Sequence, residues 1–380
     1  MHVTKIFLKD FRNFDELKLD LGEGINIFLG RNAQGKTNIL EAVYFASVLR
    51  SRAVKMTDLI SWGRDTAFVE INFCRADVSQ KVAVELSARR RSRKLLVNDE
   101  MVRSKSFVGR LNSVMFSPED LFMFKGASAG RRQFLNAEIS QASPNYYENL
   151  VIYNHIITQR NNLLKKIRAG FVKKSSLETW NEQLAKYSAK IIAQRLIVVD
   201  MLNDFSKIIY KNISAQDEKF SIVYNLKYLD FDIAKENFYA ENFKYKLFDW
   251  YQNIIAEKSA RDIERGNTSL GPHLDDLKFF INNHELRLYG SQGQLRTAAL
   301  ALKLSELEFL KSARGEYPVL LLDDVMSELD ANRREQLLKF LKLKKIQTII
   351  TATEKKYFPD ENFGKIFEVL AGNIISTDWE

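Results

Sequence analysis

The chain has 380 residues, 57 of them basic and 48 acidic, for a net charge of +9; 46% are hydrophobic and 28% charged. That balance belongs to a globular protein with ample core and room for about two or three domains. The longest clean apolar run, Val319–Leu322, falls far short of the ~20 residues of a membrane helix, and residues 1–20 alternate apolar with charged side chains. A single cysteine, Cys74, leaves no disulfide framework and no CxxC metal knuckle. Secretion, membrane spanning and thiolate–metal clusters are therefore not expected. The surplus of positive charge favours polyanions, nucleic acid first, although a Lys-, Asn- and Ile-rich composition also follows from genome base content.

In chain order, Val3, Ile6, Leu8 and Phe11 predict a first strand, Leu17 and Leu19 a second, and Ile25 to Leu29 a fully apolar third. A glycine-rich turn leads into a helix from about Thr37 to Arg50. Val69, Ile71 and Phe73, then Val82, Val84 and Leu86, alternate with polar residues as half-buried antiparallel strands do. Before a further strand at Leu95–Val97 stands a basic run, Arg89, Arg90, Arg91, Arg93 and Lys94, which is either a solvated hairpin tip or a phosphate contact.

The middle of the chain is helical. Tyr146 to Lys166 and Ser176 to Asn212 carry strong helical patterns, and the second shows a stripe of Trp180, Leu184, Tyr187, Ile191, Val198, Met201, Phe205 and Ile208 broken at Gln194. These predict a short antiparallel helical hairpin with a structural role. A third helix is expected over Phe243 to Glu264. Leu277, Phe279 and Ile281, an Asn282-Asn283 turn, and Leu286 with Leu288 predict a hairpin. A helix from Gln292 to Lys311, the strand Val319–Leu322, a helix from Arg333 to Leu343 and a strand at Thr348–Thr351 complete the pattern. Strand–helix–strand alternation at both ends predicts one α/β head, residues 1–139 and 265–380, with an antiparallel β lobe and an inserted helical arm, 140–264.

Gly30-Arg31-Asn32-Ala33-Gln34-Gly35-Lys36-Thr37 fits G-x-x-x-x-G-K-[ST] at every fixed position and lies between a buried strand and a helix. The glycines let backbone N–H groups turn toward phosphates, Lys36 supplies a point charge, and the Thr37 hydroxyl can ligate Mg²⁺. The apolar strand ending in Asp323-Asp324 supplies the other half. Asp323 is expected to hold Mg²⁺ through water, and Asp324 to orient or deprotonate the attacking water. Ser291-Gln292-Gly293-Gln294-Leu295-Arg296 opens a helix as a capping box, and the same geometry turns free N–H groups toward an anion. Arg296, a cation in the first turn, calls for a phosphate or carboxylate partner. Its residue order is that of an ABC-type signature, which caps the γ-phosphate of ATP held by a second subunit, and Ser327-Glu328-Leu329-Asp330 matches the D-loop position.

With these motifs the chain resembles the RecF family, short-armed relatives of SMC heads. Further carriers are Phe11-Arg12-Asn13-Phe14, Asn38 to Ala42, Phe116 to Leu121, Arg131 to Leu135, Gln159-Arg160-Asn161, Gly271-Pro272-His273 and Leu322 to Val325. The resemblance implies an ABC/SMC-type P-loop NTPase head in the bacterial cytoplasm, at the nucleoid. It implies ATP and Mg²⁺ as cofactors, an ATP-dependent homodimer, and binding to gapped DNA, single-strand/double-strand junctions or duplex. RecR, with RecO and RecA downstream, is the implied partner in recombinational repair, replication restart and SOS induction. Asn136 stands where the family usually has an acid, and Leu274 where it usually has Arg; Asn136 is therefore given no critical role, and a local ion pair near Asp275 and Asp276 is put in doubt. His273 is expected to pack rather than bind metal.

Other classes fit less well. A transporter ATPase needs a contiguous head and a switch histidine, which Thr351-Ala352-Thr353 does not provide, and a long-armed chromosome organiser needs a far longer coiled coil. A variant in which ATP serves only as dimer glue remains, because Asp324 is one methylene shorter than the glutamate usual in that superfamily. Slow, DNA-stimulated hydrolysis is the expected activity. DNA contact is expected at Arg89–Lys94 and on a cleft face above the dimer.

Overall fold

A computed structural model describes residues 1–51, 55–214, 217–227, 236–358, 363–370 and 373–377. Its contacts divide the chain into two units. The first comprises Met1–Phe122, Ile209–Asp217 and Ser291–Glu380; the second comprises Met123–Ile208 and Glu218–Gly290. Residues 123–139 and 265–290, expected in the head, thus group with the second unit, where the helix Ser128–Ala142 packs on the helix Pro144–Arg168 and on the strand Asp276–Ile281.

Among the described residues, the first unit holds two six-stranded sheets. One is antiparallel, in the order β2 (Phe14–Asp20), β1 (His2–Phe11), β4 (Thr66–Arg75), β5 (Val78–Ser87), β6 (Ser92–Val97) and β7 (Glu100–Met101). Its strands alternate buried and exposed positions, as the period of two in the sequence requires. The other sheet runs β15 (Asn373–Thr377), β14 (Lys365–Leu370), β3 (Ile25–Leu29), β13 (Thr348–Ala352), β12 (Val319–Asp323) and β8 (Ser113–Phe116), parallel except at β15. β12 and β13 are buried at every position, which is why they read as short runs of mostly apolar and β-branched residues without a period of two. The sheet is assembled from both ends of the chain, as anticipated. Gln347 ties the two sheets: its Oε1 accepts from Val3 N at 2.6 Å, and its Nε2 donates to Val3 O and Gly22 O, each at 2.7 Å. The helix α1 (Lys36–Val48) follows β3 directly.

The second unit is built on four long helices, α2 (Ser128–Ala142), α3 (Pro144–Arg168), α4 (Glu178–Ile213, whose last residues group with the first unit) and α5 (Phe243–Arg265). They accompany the antiparallel sheet β11 (His284–Glu285), β10 (Asp276–Ile281) and β9 (Phe220–Asn225). Arg160 Nε donates to Asn181 Oδ1 at 2.9 Å, and Arg195 Nε to Tyr146 Oη at 3.0 Å. These contacts step back along α3 as they advance along α4, so the two helices form the expected antiparallel hairpin. The buried face of α4 differs from the predicted stripe, however. It runs through Leu184, Ser188, Ile191, Ile192, Arg195, Val199, Leu202 and Ser206, while Ile208 is 64% exposed. The break at Gln194 marks the entry of a fully buried arginine. After β11 the chain makes a single helical turn, Leu286–Tyr289, in place of the expected strand, which buries Leu286 and leaves Leu288 exposed.

Arg195 organises the polar core of this unit. Its guanidinium donates to Tyr224 Oη (3.0 Å), Pro272 O (2.7 Å) and Asn136 Oδ1 (2.8 Å), and Asn136 Oδ1 also accepts from Tyr146 Oη (2.7 Å). Tyr224 Oη donates in turn to Asp275 Oδ2 (2.7 Å). A second buried arginine, Arg160, pairs with Asp262 Oδ2 at 2.7 Å and donates to Thr268 Oγ1 at 2.8 Å. Burying such groups is costly unless they are paired; the partners above meet most of that cost, and Arg160 Nη2 alone of the two guanidinium groups is buried without a hydrogen-bond partner. Asn136 thus has a larger structural role than its lost charge implied, and the ion pair doubted at Leu274 exists, since Arg131 grips Asp276 with two bonds of 2.7 and 2.8 Å. His273 packs against Tyr153, and burial pushes its imidazole down to about 4. Replacing Asn136 by Ala leaves a buried guanidinium and phenol each short of a partner. Urea unfolding is expected to show a loss of about 1–3 kcal/mol, against little loss for Asn136→Asp. Equal stability of Asn136→Ala and the parent would contradict this.

Candidate nucleotide-binding site

The loop after β3 is shaped by backbone that few residues adopt. Ala33 has φ 65° and Gly35 φ 102°. A Cβ on Gly35 would stand 2.4 Å from Asn13 Nδ2, so only glycine fits beneath that side chain. Gly35 begins α1 without a side-chain cap, leaving the first-turn N–H groups for an anion. Gly30 is pressed against β14, where a Cβ would meet Val369 O at 2.4 Å, and its N–H reaches Ala352 O at 3.3 Å. Arg31 and Asn32 are exposed and Gln34 is half-buried on the outer side of the loop.

Lys36 turns back over this loop, donating to Gly30 O (2.6 Å) and Arg31 O (2.8 Å). Burial holds its ammonium below the usual range, with the carboxylates of Asp324 and Asp323 pulling the other way. Thr37 Oγ1 donates to Asp323 Oδ1 at 2.8 Å, joining the start of α1 to the end of β12. Thr351, on β13, donates to the same oxygen at 2.9 Å, and its Oγ1 accepts from Asp324 N at 2.9 Å. Asp324 has a left-handed backbone, φ 51°, and its Oδ1 is buried with no hydrogen-bond partner. Burial raises its carboxyl above the usual range, Lys36 opposes this, and Asp323 and Glu328 add to it. Asn32, Ala33, Gly35, Lys36, Thr37, Asn38, Asp323, Asp324 and Thr351 line one cleft of about 180 Å³.

The Ser291–Arg296 segment and Asp330 do not line that cleft. Ser291 and Gln294 form the capping box of α6 (Gln292–Arg314), with Gln294 N to Ser291 Oγ at 3.2 Å and Ser291 N to Gln294 Oε1 at 2.9 Å. Gly293 lies in the first turn, its carbonyl accepting from Thr297 Oγ1 at 2.9 Å. The carboxylate that Arg296 calls for is Glu328, at 2.9 Å. Asp330 caps α7 (Ala331–Lys344), accepting from Arg333 N at 2.9 Å, and the Arg333 contacts hold its carboxyl below the usual range.

Sequence reasoning missed Thr351, which reads as one more β-branched residue in a buried strand. It also left Arg12 without a role. Arg12 binds Glu41 of α1 through two bonds, 2.8 and 3.0 Å, and Asn13 accepts from Asn38 Nδ2 at 2.7 Å, so the β1–β2 turn braces the loop and helix. The basic run is less free than its sequence: Arg89 pairs with Asp65, Lys94 with Glu85 (3.1 Å), and Arg93 donates to Leu49 O at 3.0 Å. Its neutralising acids come from the residue before β4 and from β5.

Sheet order, loop and acidic strand together define an SMC-type head of the P-loop class. The family model described as the RecF/RecN/SMC N terminal domain matches residues 2–372. The DNA replication and repair protein RecF of Halothermothrix orenii is 42% identical over 98% of both chains, and that of Heliobacterium modesticaldum 38% identical over 98% of this chain and 99% of its own. A solved structure of the recombination mediator protein RecF-ATP in the RecFOR pathway superposes with a TM-score of 0.90 at 36% identity, covering 99% and 98%. An SMC head domain from Pyrococcus furiosus shares the fold alone, at TM-score 0.55 and 14% identity over 99% and 96%. The chain belongs to the RecF family.

The burial of Asp324 makes a prediction. A carboxyl raised in the folded state contributes its full stability below its unfolded value and loses it as pH rises through the folded one. Asp324→Asn is therefore expected to raise the unfolding temperature of the nucleotide-free protein by about 2 °C at pH 8, with the gain fading toward pH 4. A gain that grows as pH falls would contradict the assignment.

Proposed function

We propose that this chain is an ATP-gated DNA-binding protein of recombinational repair and replication restart, working as two heads that close on nucleotide and DNA and reopen on hydrolysis. The observation that carries it is the division of the site. Phosphate-binding and metal-binding groups share one cleft, while the Ser291–Arg296 helix start and Asp330 stand outside it, as groups that complete the cleft of a second copy would.

In this reading the loop N–H groups of Gly30 to Gly35 and the Lys36 ammonium hold phosphates, and Lys36 leaves its loop carbonyls to do so. Thr37 Oγ1 and Asp323 are oxygen donors suited to Mg²⁺, whose chemistry is to neutralise phosphate charge. Among the described residues no group of three His, Cys, Asp or Glu could hold a metal alone; Thr37 and Asp323 would hold the ion only together with bound nucleotide. Asp324, its carboxyl raised and its Oδ1 unpaired, orients or deprotonates the attacking water. Asp323 keeps its own carboxylate directed at Thr37 and Thr351.

The relatives support ATP and DNA as ligands, one being a DNA replication and repair protein and another a RecF-ATP structure of the RecFOR pathway. The net charge of +9 supports a DNA partner. RecR, with RecO and RecA downstream, is the corresponding protein partner, and SOS induction the downstream effect. No described helix is long and apolar enough to cross a membrane, in keeping with a nucleoid-associated cytoplasmic protein. A second reading, ATP as dimer glue with negligible turnover, draws support from the short reach of Asp324.

Sedimentation of wild type and Lys36→Met with ATP, Mg²⁺ and duplex DNA, then without each, tests the proposal. ATP-dependent dimers that bind DNA are expected, with dimers absent in the variant. Monomers under every condition would remove the clamp mechanism and leave the Ser291 helix start as a cap alone. Asp324→Asn is expected to keep the dimer and lose turnover by a factor of about 100 or more; an unchanged dimer lifetime in that variant would favour the glue reading.

A further inference from the structure

Trp62 is 99% exposed. An indole is the largest apolar side chain and normally finds cover. Nor is its position loose. Arg64 N donates to Ser61 O at 3.0 Å and Gly63 takes φ 79°, which closes a tight turn with Trp62 at its tip. The turn is fastened at its base, where Ser61 N donates to Asp10 O at 2.9 Å, Arg12 N donates to Leu59 O at 2.8 Å, and Ile60 bridges Phe11.

A second turn lies beside it. Thr66 pairs with Ser87 in the β4–β5 ladder, and Ala88 N donates to Asp65 O at 2.8 Å. The turn that follows, closed by Arg91 N to Ala88 O at 3.3 Å, carries Arg89, Arg90 and Arg91 at the same end of the antiparallel sheet as Trp62. Arg89 pairs with Asp65, and Arg64 with Asp10 at 3.1 Å. Arg90 and Arg91 are exposed and have no carboxylate partner among the described residues. This end of the sheet also carries the Arg12–Asn13 turn that braces Gly35 and α1.

We propose that these two turns form a contact for single-stranded nucleic acid, in which the Trp62 indole stacks on an unpaired base and Arg90 and Arg91 hold the adjoining phosphates. Every base offers a π-face, so a fixed aromatic ring flanked by cations grips unpaired strand without reading sequence. In a duplex the bases are stacked on each other, and the indole finds no face to cover. The site therefore discriminates the single-stranded side of a junction from duplex. It rests on the DNA-binding reading above and adds which part of the DNA is felt, and by which residues.

Fluorescence anisotropy of labelled oligothymidylate and of a blunt duplex, over a series of salt concentrations, tests it on the full chain. Trp62→Ala removes no folded contact and is expected to weaken oligothymidylate binding by about tenfold, leaving blunt duplex unchanged and the salt slope intact. Trp62→Phe, which keeps an aromatic face, is expected to retain most of the affinity. Arg90→Ala with Arg91→Ala is expected to lower the log–log salt slope on oligothymidylate by about 1.4, the share of two single-strand phosphates. Wild-type affinity for oligothymidylate in Trp62→Ala overturns the inference and leaves the DNA reading standing. Equal loss on duplex and single strand also overturns it, by making Trp62 a general contact. A parent protein that binds neither DNA removes the DNA reading itself.

Discussion

One carboxylate oxygen joins the two ends of the chain. Asp323 Oδ1, at the end of β12, receives the hydroxyl of Thr37 from the start of α1 and that of Thr351 from β13. Each of these residues comes from a different strand–helix unit, and each is placed by a largely parallel sheet assembled from both ends of the chain. A buried carboxylate tolerates its position only when its lone pairs are satisfied, so the junction constrains sheet register and site geometry together. Asp324 then sits one residue beyond the junction with a strained backbone and an unpaired oxygen. Strain of this kind persists where the surroundings over-determine it, as β12 and β13 do here.

The second unit rests on a different kind of constraint. Arg195 and Arg160 are fully buried guanidinium groups whose partners come from helices, strands and loops spread over more than half of that unit. Replacing such a network by apolar residues often costs little, whereas removing one member costs much. The network therefore favours one arrangement over its near neighbours. Three of the motifs outside the P-loop that mark the RecF family, Arg131–Leu135, Gln159–Asn161 and Gly271–His273, lie in this unit and serve this purpose. Arg131, Arg132, Arg160, Asn161 and the Gly271-Pro272-His273 turn all end in bonds within the unit. The Phe116–Leu121 motif likewise resolves into a capping box, Ser117 N to Asp120 Oδ2 at 2.7 Å.

Much of this was legible in the sequence because its signals are local. The P-loop, the apolar strand ending in two aspartates, and the Ser291–Gln294 box each depend on residues within a few positions of one another. What was hidden depends on distant partners. Arg195 reads as an interruption of an apolar stripe until Tyr146, Asn136, Tyr224 and Pro272 surround it. Thr351 looks like any β-branched strand residue until β13 lies next to β12. The run Arg89–Lys94 looks like an uncompensated cationic tip because Asp65 and Glu85 reach it only across the β4–β5–β6 ladder. Arg296 called for a phosphate or a carboxylate, and Glu328, thirty-two residues on, supplies the carboxylate.

The central claim is that each nucleotide site is shared, with Lys36 and Asp323 from one copy and the Ser291 helix start from another. Mixing two inactive chains, Lys36→Met and Ser291→Arg, tests this directly by phosphate release. A mixed dimer carries one site in which an intact P-loop faces an intact Ser291, so the account predicts turnover in the mixture that neither chain shows alone. A mixture as inactive as its components, when both chains fold and the Ser291→Arg chain still binds ATP, would contradict it.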